Sequence, residues 1–180
     1  MMPNPTLDRL AVRDWARELL RGDNFVILDT ETTGFDRSAE IIQVGLLSGQ
    51  GEIVFDSLIK PLQPIPWQTT QVHHITDRMV AYAPTFPQLY HQLNHALSGK
   101  TLIIYNASFD LRMLRQSCEI HRLRPFYLPN YFCAMQKYAV FAGQRNANGR
   151  GYKTHRLQGG DHSAIGDCVA TLRLIHQMAQ

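Results

Sequence analysis

The chain has little cysteine, little excess charge of either sign and no long apolar run, and each shortage closes off a class of function. Its three cysteines, Cys118, Cys133 and Cys168, are an odd number with no two at the spacing of a zinc knuckle or a redox CxxC pair, which leaves them as core residues. No apolar segment approaches the ~18–20 residues of a membrane-spanning helix, and Met1 to Arg21 is a charged amphipathic stretch without the apolar segment of a signal peptide. The expected location is the cytoplasm, with no membrane partner, so the Asn106-Ala107-Ser108 glycosylation pattern carries no weight. Low-complexity tracts are missing too, and hydrophobic residues make up 44% against 18% charged, a balance that folds rather than staying disordered. At 180 residues a single core is expected.

The net charge of +3 is too small to name a partner, but its distribution is uneven. Leu111 to Gly160 carries nine basic residues (Arg112, Arg115, Arg122, Arg124, Lys137, Arg145, Arg150, Lys153, Arg156) and one acid, Glu119. This stretch is a candidate surface for an anionic ligand or simply a solvated face.

Leu7, Ala11, Trp15 and Leu19 fall at helical spacing behind a Thr6 cap and predict a docking helix that stops at Gly22-Asp23-Asn24, with Arg9, Arg13, Arg17 and Arg21 on its wet face. Residues 1–24 are thus an N-terminal helical extension of one domain over 25–180. Phe25-Val26-Ile27-Leu28 predicts a buried strand ending in Asp29-Thr30-Glu31-Thr32-Thr33-Gly34. Ile41 to Leu47 and Ile53 to Ile59 predict an antiparallel hairpin around Ser48-Gly49-Gln50-Gly51. After Pro61, Pro64 and Pro66 come short helices over Gln68 to His73 and Asp77 to Tyr82, and a longer one marked by Phe86, Leu89, Leu93 and Leu97. Thr101 to Tyr105 is a further strand, followed by a helix to about Ile120. Beyond the Pro125 to Pro129 break, Cys133 to Phe141 reads as helical, and Gly143 to Gly160 as a mobile basic loop. Ile165, Cys168, Val169, Leu172 and Ile175 define a last helix. This order indicates an α/β domain with a mixed sheet.

Asp29 and Glu31, two apart on an extended chain, project to one face, where they repel unless a cation lies between them. Asp110 follows the second apolar strand, and Ser163 is a plausible cap that leaves His162 on a loop and Asp167 in the first turns of the last helix. In an open α/β sheet such groups collect beyond the carboxyl ends of the strands, and four oxygen-donor acids suit Mg²⁺ or Mn²⁺ better than zinc. Other signals fall short. His91 and His95 lack the glutamate of a zinc-protease motif and oppose the apolar stripe, and Gly149 to Thr154 lacks the glycines of a phosphate loop.

Asp29-Thr30-Glu31-Thr32-Thr33-Gly34, Asn106-x-x-Phe109-Asp110 and His162-x-x-x-x-Asp167, in that order, resemble the three motifs of the DnaQ-like DEDDh exonuclease family. Val72-His73-His74-Ile75-Thr76-Asp77 is similar to the family segment that contacts the terminal nucleotide, although His74 stands where many relatives carry glycine. The resemblance runs from about Phe25 to Met178 and implies a ribonuclease H-like fold, a mixed five-stranded sheet flanked by helices. It implies 3'-to-5' exonuclease activity at single-stranded nucleic-acid 3' ends, with DNA favoured. An oligoribonuclease or RNase T-like exoribonuclease, and a catalytically inactive nucleic-acid-binding module, are the alternatives. By the same resemblance Asp29, Glu31, Asp110 and Asp167 hold two Mg²⁺ or Mn²⁺ ions and His162 is the general base. It implies that Thr30, Thr32, Thr33, Gly34, Phe35, His73, Asn106 and Phe109 contact substrate, Phe109 reading equally well as a core residue. Because the sequence stops at Gln180, without the extension through which a proofreading subunit joins its polymerase partner, a stand-alone nuclease is expected.

Overall fold

The computed structural model describes residues 4–22, 24–128, 130–148 and 150–180. Met1, Asp23, Pro129 and Gly149, which figure in the readings above, lie outside the described residues. Helix α1 (Pro5–Gly22) leads into β1 (Phe25–Thr32), the middle strand of five. The hairpin β2 (Ile41–Ser48) and β3 (Ile53–Leu58) lies antiparallel on one side of β1; β4 (Thr101–Ile104) and β5 (Tyr131–Cys133) lie parallel on the other, in the order β3-β2-β1-β4-β5. The helices are α2 (Trp67–His73), α3 (Asp77–Val80), α4 (Phe86–Leu97), α5 (Ala107–Ile120), α6 (Ala134–Ala142) and α7 (Ala164–Met178).

The continuous apolar run that opens β1 is explained by its position, since both faces of the strand are covered. Val26 and Leu28 pack with Leu93 and Leu97 of α4 and Met113 and Leu114 of α5. Phe25 and Ile27 face the other way, onto Ala16 of α1, Phe141 of α6 and Cys168 and Ile175 of α7. β1 continues through both acids to Thr32, four residues past the apolar run, so the strand pleat itself puts Asp29 and Glu31 on the α7 face. Because β4 runs parallel to β1, the chain leaving it at Ile104 enters α5 at the same edge of the sheet.

Several readings change. β5 was not among the strands read from the sequence: it is three residues long and adds at the sheet edge by parallel pairing of Leu102 with Tyr131 and Ile104 with Cys133. Helix α1 is capped by Asn4, whose Oδ1 accepts from Thr6 N and Leu7 N, with Pro5 as first residue, so Thr6 is not the cap. Its buried residues are Val12 and Ala16, while Leu7 and Ala11 are exposed. The arginine stripe is not simply a wet face either. Arg9 lies 4.4 Å above the Phe141 ring, and Arg17 donates to the carbonyls of Ala179 (2.7 Å) and Gln180 (3.2 Å), which the end of α7 leaves without helical partners.

Among the described residues the 143–160 segment carries no helix or strand, yet it is pinned rather than free. Tyr152 donates its hydroxyl to Asp8 of α1 (2.6 Å), Asn146 Nδ2 donates to the Arg150 carbonyl (2.8 Å), and Tyr105 donates to the His155 carbonyl (2.9 Å). Among the described residues no helix is long and apolar enough to cross a membrane. Cys118 and Cys168 are buried and Cys133 is partly buried.

Candidate active site

Asp29 and Glu31 stand opposite Gly45 and Gln43 of β2. A Cβ on Gly45 would lie 2.9 Å from the backbone of Ala164 and 3.0 Å from its side chain, so glycine is what lets the start of α7 settle on the sheet beside the acids. Ser163 caps that helix, accepting from Gly166 N (3.1 Å), and Asp167 follows in the first turn. Carboxylate oxygens of Asp29, Glu31 and Asp167 consequently lie within 4.8 Å of one another. Asp110 arrives from the opposite face in the first turn of α5, 3% exposed, and accepts from Thr30 Oγ1 at 2.7 Å.

The electrostatics of this cluster are those of a cation site. Burial, then Asp110, Glu31 and Asp167 in turn, hold the Asp29 carboxyl well above the usual carboxylate range. Burial and the neighbouring Asp167 and Asp110 push Glu31 up to about 8. Asp110 rises to about 7, again chiefly through burial and against the opposing Thr30 hydrogen bond, and Asp167 is raised by burial. Carboxylates so placed cannot all ionise without a compensating positive charge. A hard divalent cation with oxygen preference fits this donor set.

His162 sits at the exposed rim with its backbone in the left-handed region (φ 59°), and its backbone N–H donates to Asp167 Oδ1 (3.2 Å). His73 is buried; its Nδ1 accepts from Ile75 N (3.0 Å), so the neutral ring carries its proton on Nε2, which has no hydrogen-bond partner. Burial holds this imidazole below its ordinary range against the opposing Thr32 backbone, and His74 and then His162 add to the lowering. A cavity of 370 Å³ lies alongside, lined by residues that include Gln43, Asp56, His73, His74 and Ser163. His74 caps α2 with φ 60°, a left-handed conformation that glycine adopts without strain.

The threonines of the first motif are engaged within the protein. Thr32 Oγ1 donates to the Gly34 carbonyl (2.8 Å) and Thr33 Oγ1 accepts from Glu40 N (2.9 Å), which shapes the turn after β1. Past that turn Phe35 stands 79% exposed, its ring 5.5 Å from that of Phe109, with Arg112 5.3 Å from Phe109 on α5. Asn106 is exposed at the start of α5 and accepts from Ser108 Oγ (3.0 Å).

Sequence reading missed the residues that shape this site without adding chemistry. Gly45 was detectable as a glycine inside an apolar strand. Gly160 was not: a Cβ there would collide with the Asp167 carboxylate, and one on Gly166 with the Asp161 carboxylate. Asp161 accepts from both the backbone N–H (3.0 Å) and the hydroxyl (2.7 Å) of Ser163, bracing the turn that carries His162.

The exonuclease family model named for RNase T matches residues 26–175, a span that includes all four acids and His162. An uncharacterized exonuclease of Escherichia phage 186, CP81, is 34% identical over 174 residues, covering 88% of this chain and 89% of its own. A DNA polymerase III subunit epsilon-like protein of Rhodobacter capsulatus is 36% identical over 160 residues, which are 82% of this chain but 22% of that protein. Among solved structures, the nuclease domain of 3'hExo, a DEDDh family member bound to rAMP, has a TM-score of 0.68 at 20% identity and covers 87% of this chain and 91% of that one. The chain belongs to the exonuclease family whose model is named for RNase T.

Proposed function

We propose that the chain removes nucleoside monophosphates one at a time from the 3' ends of single strands, DNA in preference to RNA. The observation that carries this reading is the convergence of Asp29, Glu31 and Asp167 within 4.8 Å beside the exposed His162 loop. Asp29, Glu31, Asp110 and Asp167 would hold two divalent ions, Mg²⁺ or Mn²⁺, which when bound supply the charge that activates an attacking water and stabilises the departing 3' oxygen.

The protein groups divide the remaining work. His162 accepts the proton of the attacking water and passes it to solvent, to which its position at the rim gives access. The Nε2–H of His73, buried beside the Thr32 backbone carbonyl but not well aligned with it, donates to an oxygen of the terminal nucleotide. Thr30 acts through Asp110, fixing the carboxylate by its 2.7 Å hydrogen bond. Phe35 and Phe109 offer ring faces on which bases stack, a contact tolerant of sequence. Thr32, Thr33, Gly34 and Asn106 shape the two turns between which the 3' end lies.

DNA is favoured because the named relatives include DNA polymerase III epsilon-type proteins and exodeoxyribonuclease 10 of Escherichia coli, the latter 28% identical over 158 residues. We read α1 as an extension docked on a single domain over 25–180. Side-by-side digestion of 5'-labelled single-stranded DNA and RNA of one sequence tests the substrate. Faster stepwise shortening of DNA is expected, and faster shortening of RNA would replace this reading with an exoribonuclease.

A further inference from the structure

We propose that Gln43 is a positioning residue for the reaction, tying the start of α7 to the sheet, and that Asp56 on the edge strand fixes the orientation in which it does so. The inference rests on the reading of Asp167 as a metal ligand and His162 as the base. Gln43 lies on β2 directly opposite Glu31. Its Oε1 accepts from the backbone N–H of Ala164 (3.2 Å), the first residue of α7, and its Nε2 donates to Asp56 Oδ1 on β3 (3.1 Å).

The first N–H groups of a helix have no partners within it. In α7 the local cap Ser163 takes that of Gly166, and Gln43 takes that of Ala164 from across the sheet. Ala164 lies between His162 and Asp167, so this one side chain couples the helix-borne groups to the strand pair that carries Asp29 and Glu31. Gly45, two residues along β2 and on the same face, permits the approach; Gln43 holds it. A carboxamide can turn over, and the flipped form would set its NH₂ against the Ala164 N–H, donor against donor. Asp56, an acceptor on both oxygens when ionised, accepts the NH₂ and so keeps the carbonyl turned to α7. An exposed carboxylate on the edge strand thereby sets the alignment of a site that it does not enter.

The test combines kinetics with amide hydrogen exchange on the full chain. Gln43→Ala is expected to lower kcat for mononucleotide release about 10- to 100-fold with KM nearly unchanged, the scale of a misplacement of about 1 Å, and to raise the Mn²⁺ concentration for half-maximal rate. Asp56→Ala should give a smaller loss in the same parameters. Gln43→Glu keeps an acceptor for Ala164 but sets two carboxylates against each other; adding Asp56→Asn restores the contact with reversed polarity and should recover kcat, a rescue that a purely structural role would not produce. Exchange at the Ala164 amide should quicken in Gln43→Ala and return towards wild type in the double variant. Unchanged exchange in Gln43→Ala overturns the tether whatever the activity, as does unchanged kcat together with an unchanged Mn²⁺ midpoint. Should Gln43→Ala fail to fold, Asp56→Ala and the double variant decide by the same readouts. A wild-type protein that releases no mononucleotides would refute the exonuclease reading and leave the exchange result standing.

Discussion

Gly45 and Asp29 face each other across the β1–β2 ladder, and the space that Gly45 leaves on the Asp29 side is filled by the backbone of Ala164. Asp29 on the middle strand and the helix that carries Asp167 are thus brought together by a missing side chain. Gly45→Ala would place a methyl 2.9 Å from that backbone, which must shift; the Ile165 Cδ1, 3.0 Å away, can swing aside, but the Ala164 backbone cannot. Overpacking of this kind costs ~1–3 kcal/mol, and in a chain of this size each kcal/mol lowers Tm by about 2–4 °C. Thermal melts should show that loss, with a higher Mn²⁺ requirement for activity; an unchanged Mn²⁺ requirement would mean that α7 is not positioned through this contact.

The acid cluster predicts a pH dependence of stability with a definite sign. Glu31 and Asp110 are raised from ordinary values of 4.5 and 3.8 to about 8 and about 7. The folded protein therefore keeps protons that the unfolded chain has released, and the stability from this difference is whole below pH ~4 and lost as pH rises through 7 and 8. In EDTA, Tm should fall across that window. Divalent ions bind the ionised cluster, so Mg²⁺ should raise Tm more at pH 8.5 than at pH 5.5. An equal Mg²⁺ effect at both values would argue against these carboxylates as the site.

His162 and the acids should separate by readout. Because its backbone has φ 59°, His162→Asn suits the position better than His162→Ala, asparagine tolerating the left-handed region. Either should lose ~10²–10⁴-fold in kcat while the Mg²⁺-induced rise in Tm persists, since the role proposed for it is proton transfer. Loss of that rise would move His162 into the coordination shell.

The parts of this site legible in the sequence were those whose chemistry is carried by residue type at fixed spacing. Asp29, Glu31, Asp110, His162 and Asp167 announce themselves because strands and caps put them where the pattern says, with Ser163 the cap of α7 as expected. Gln43 and Asp161 were not legible: each acts through hydrogen bonds that exist only once β2, β3 and the start of α7 are in place. β5 was hidden for a related reason, three residues being too few to show a period, so that its pairing with β4 alone defines it. In α1 the apolar positions were visible, but the buried face depended on where α6 and α7 lie, which no local pattern encodes.

Phe35, Phe109 and Arg112 form a ring–ring–cation ladder at the exit of the first motif, and among the described residues Arg112 makes no ion pair with a carboxylate. Stacking is worth ~1–3 kcal/mol per base, so Phe35→Ala should raise KM for single strands by roughly fivefold or more with little change in kcat. Arg112→Ala should flatten the salt dependence of binding by ~0.7 in slope, one phosphate contact on a single strand. Unaltered KM and slope would place the strand on another path.

The most direct test of the central claim is a time course on 5'-labelled single-stranded DNA with wild type, Asp29→Asn and Asp167→Asn, in Mg²⁺ and in EDTA. The four-acid site predicts shortening by single nucleotides from the 3' end for wild type in Mg²⁺ alone. Both variants, with their circular dichroism unchanged, should leave the strand intact. Internal cleavage, or wild-type rates from either variant or in EDTA, would contradict it.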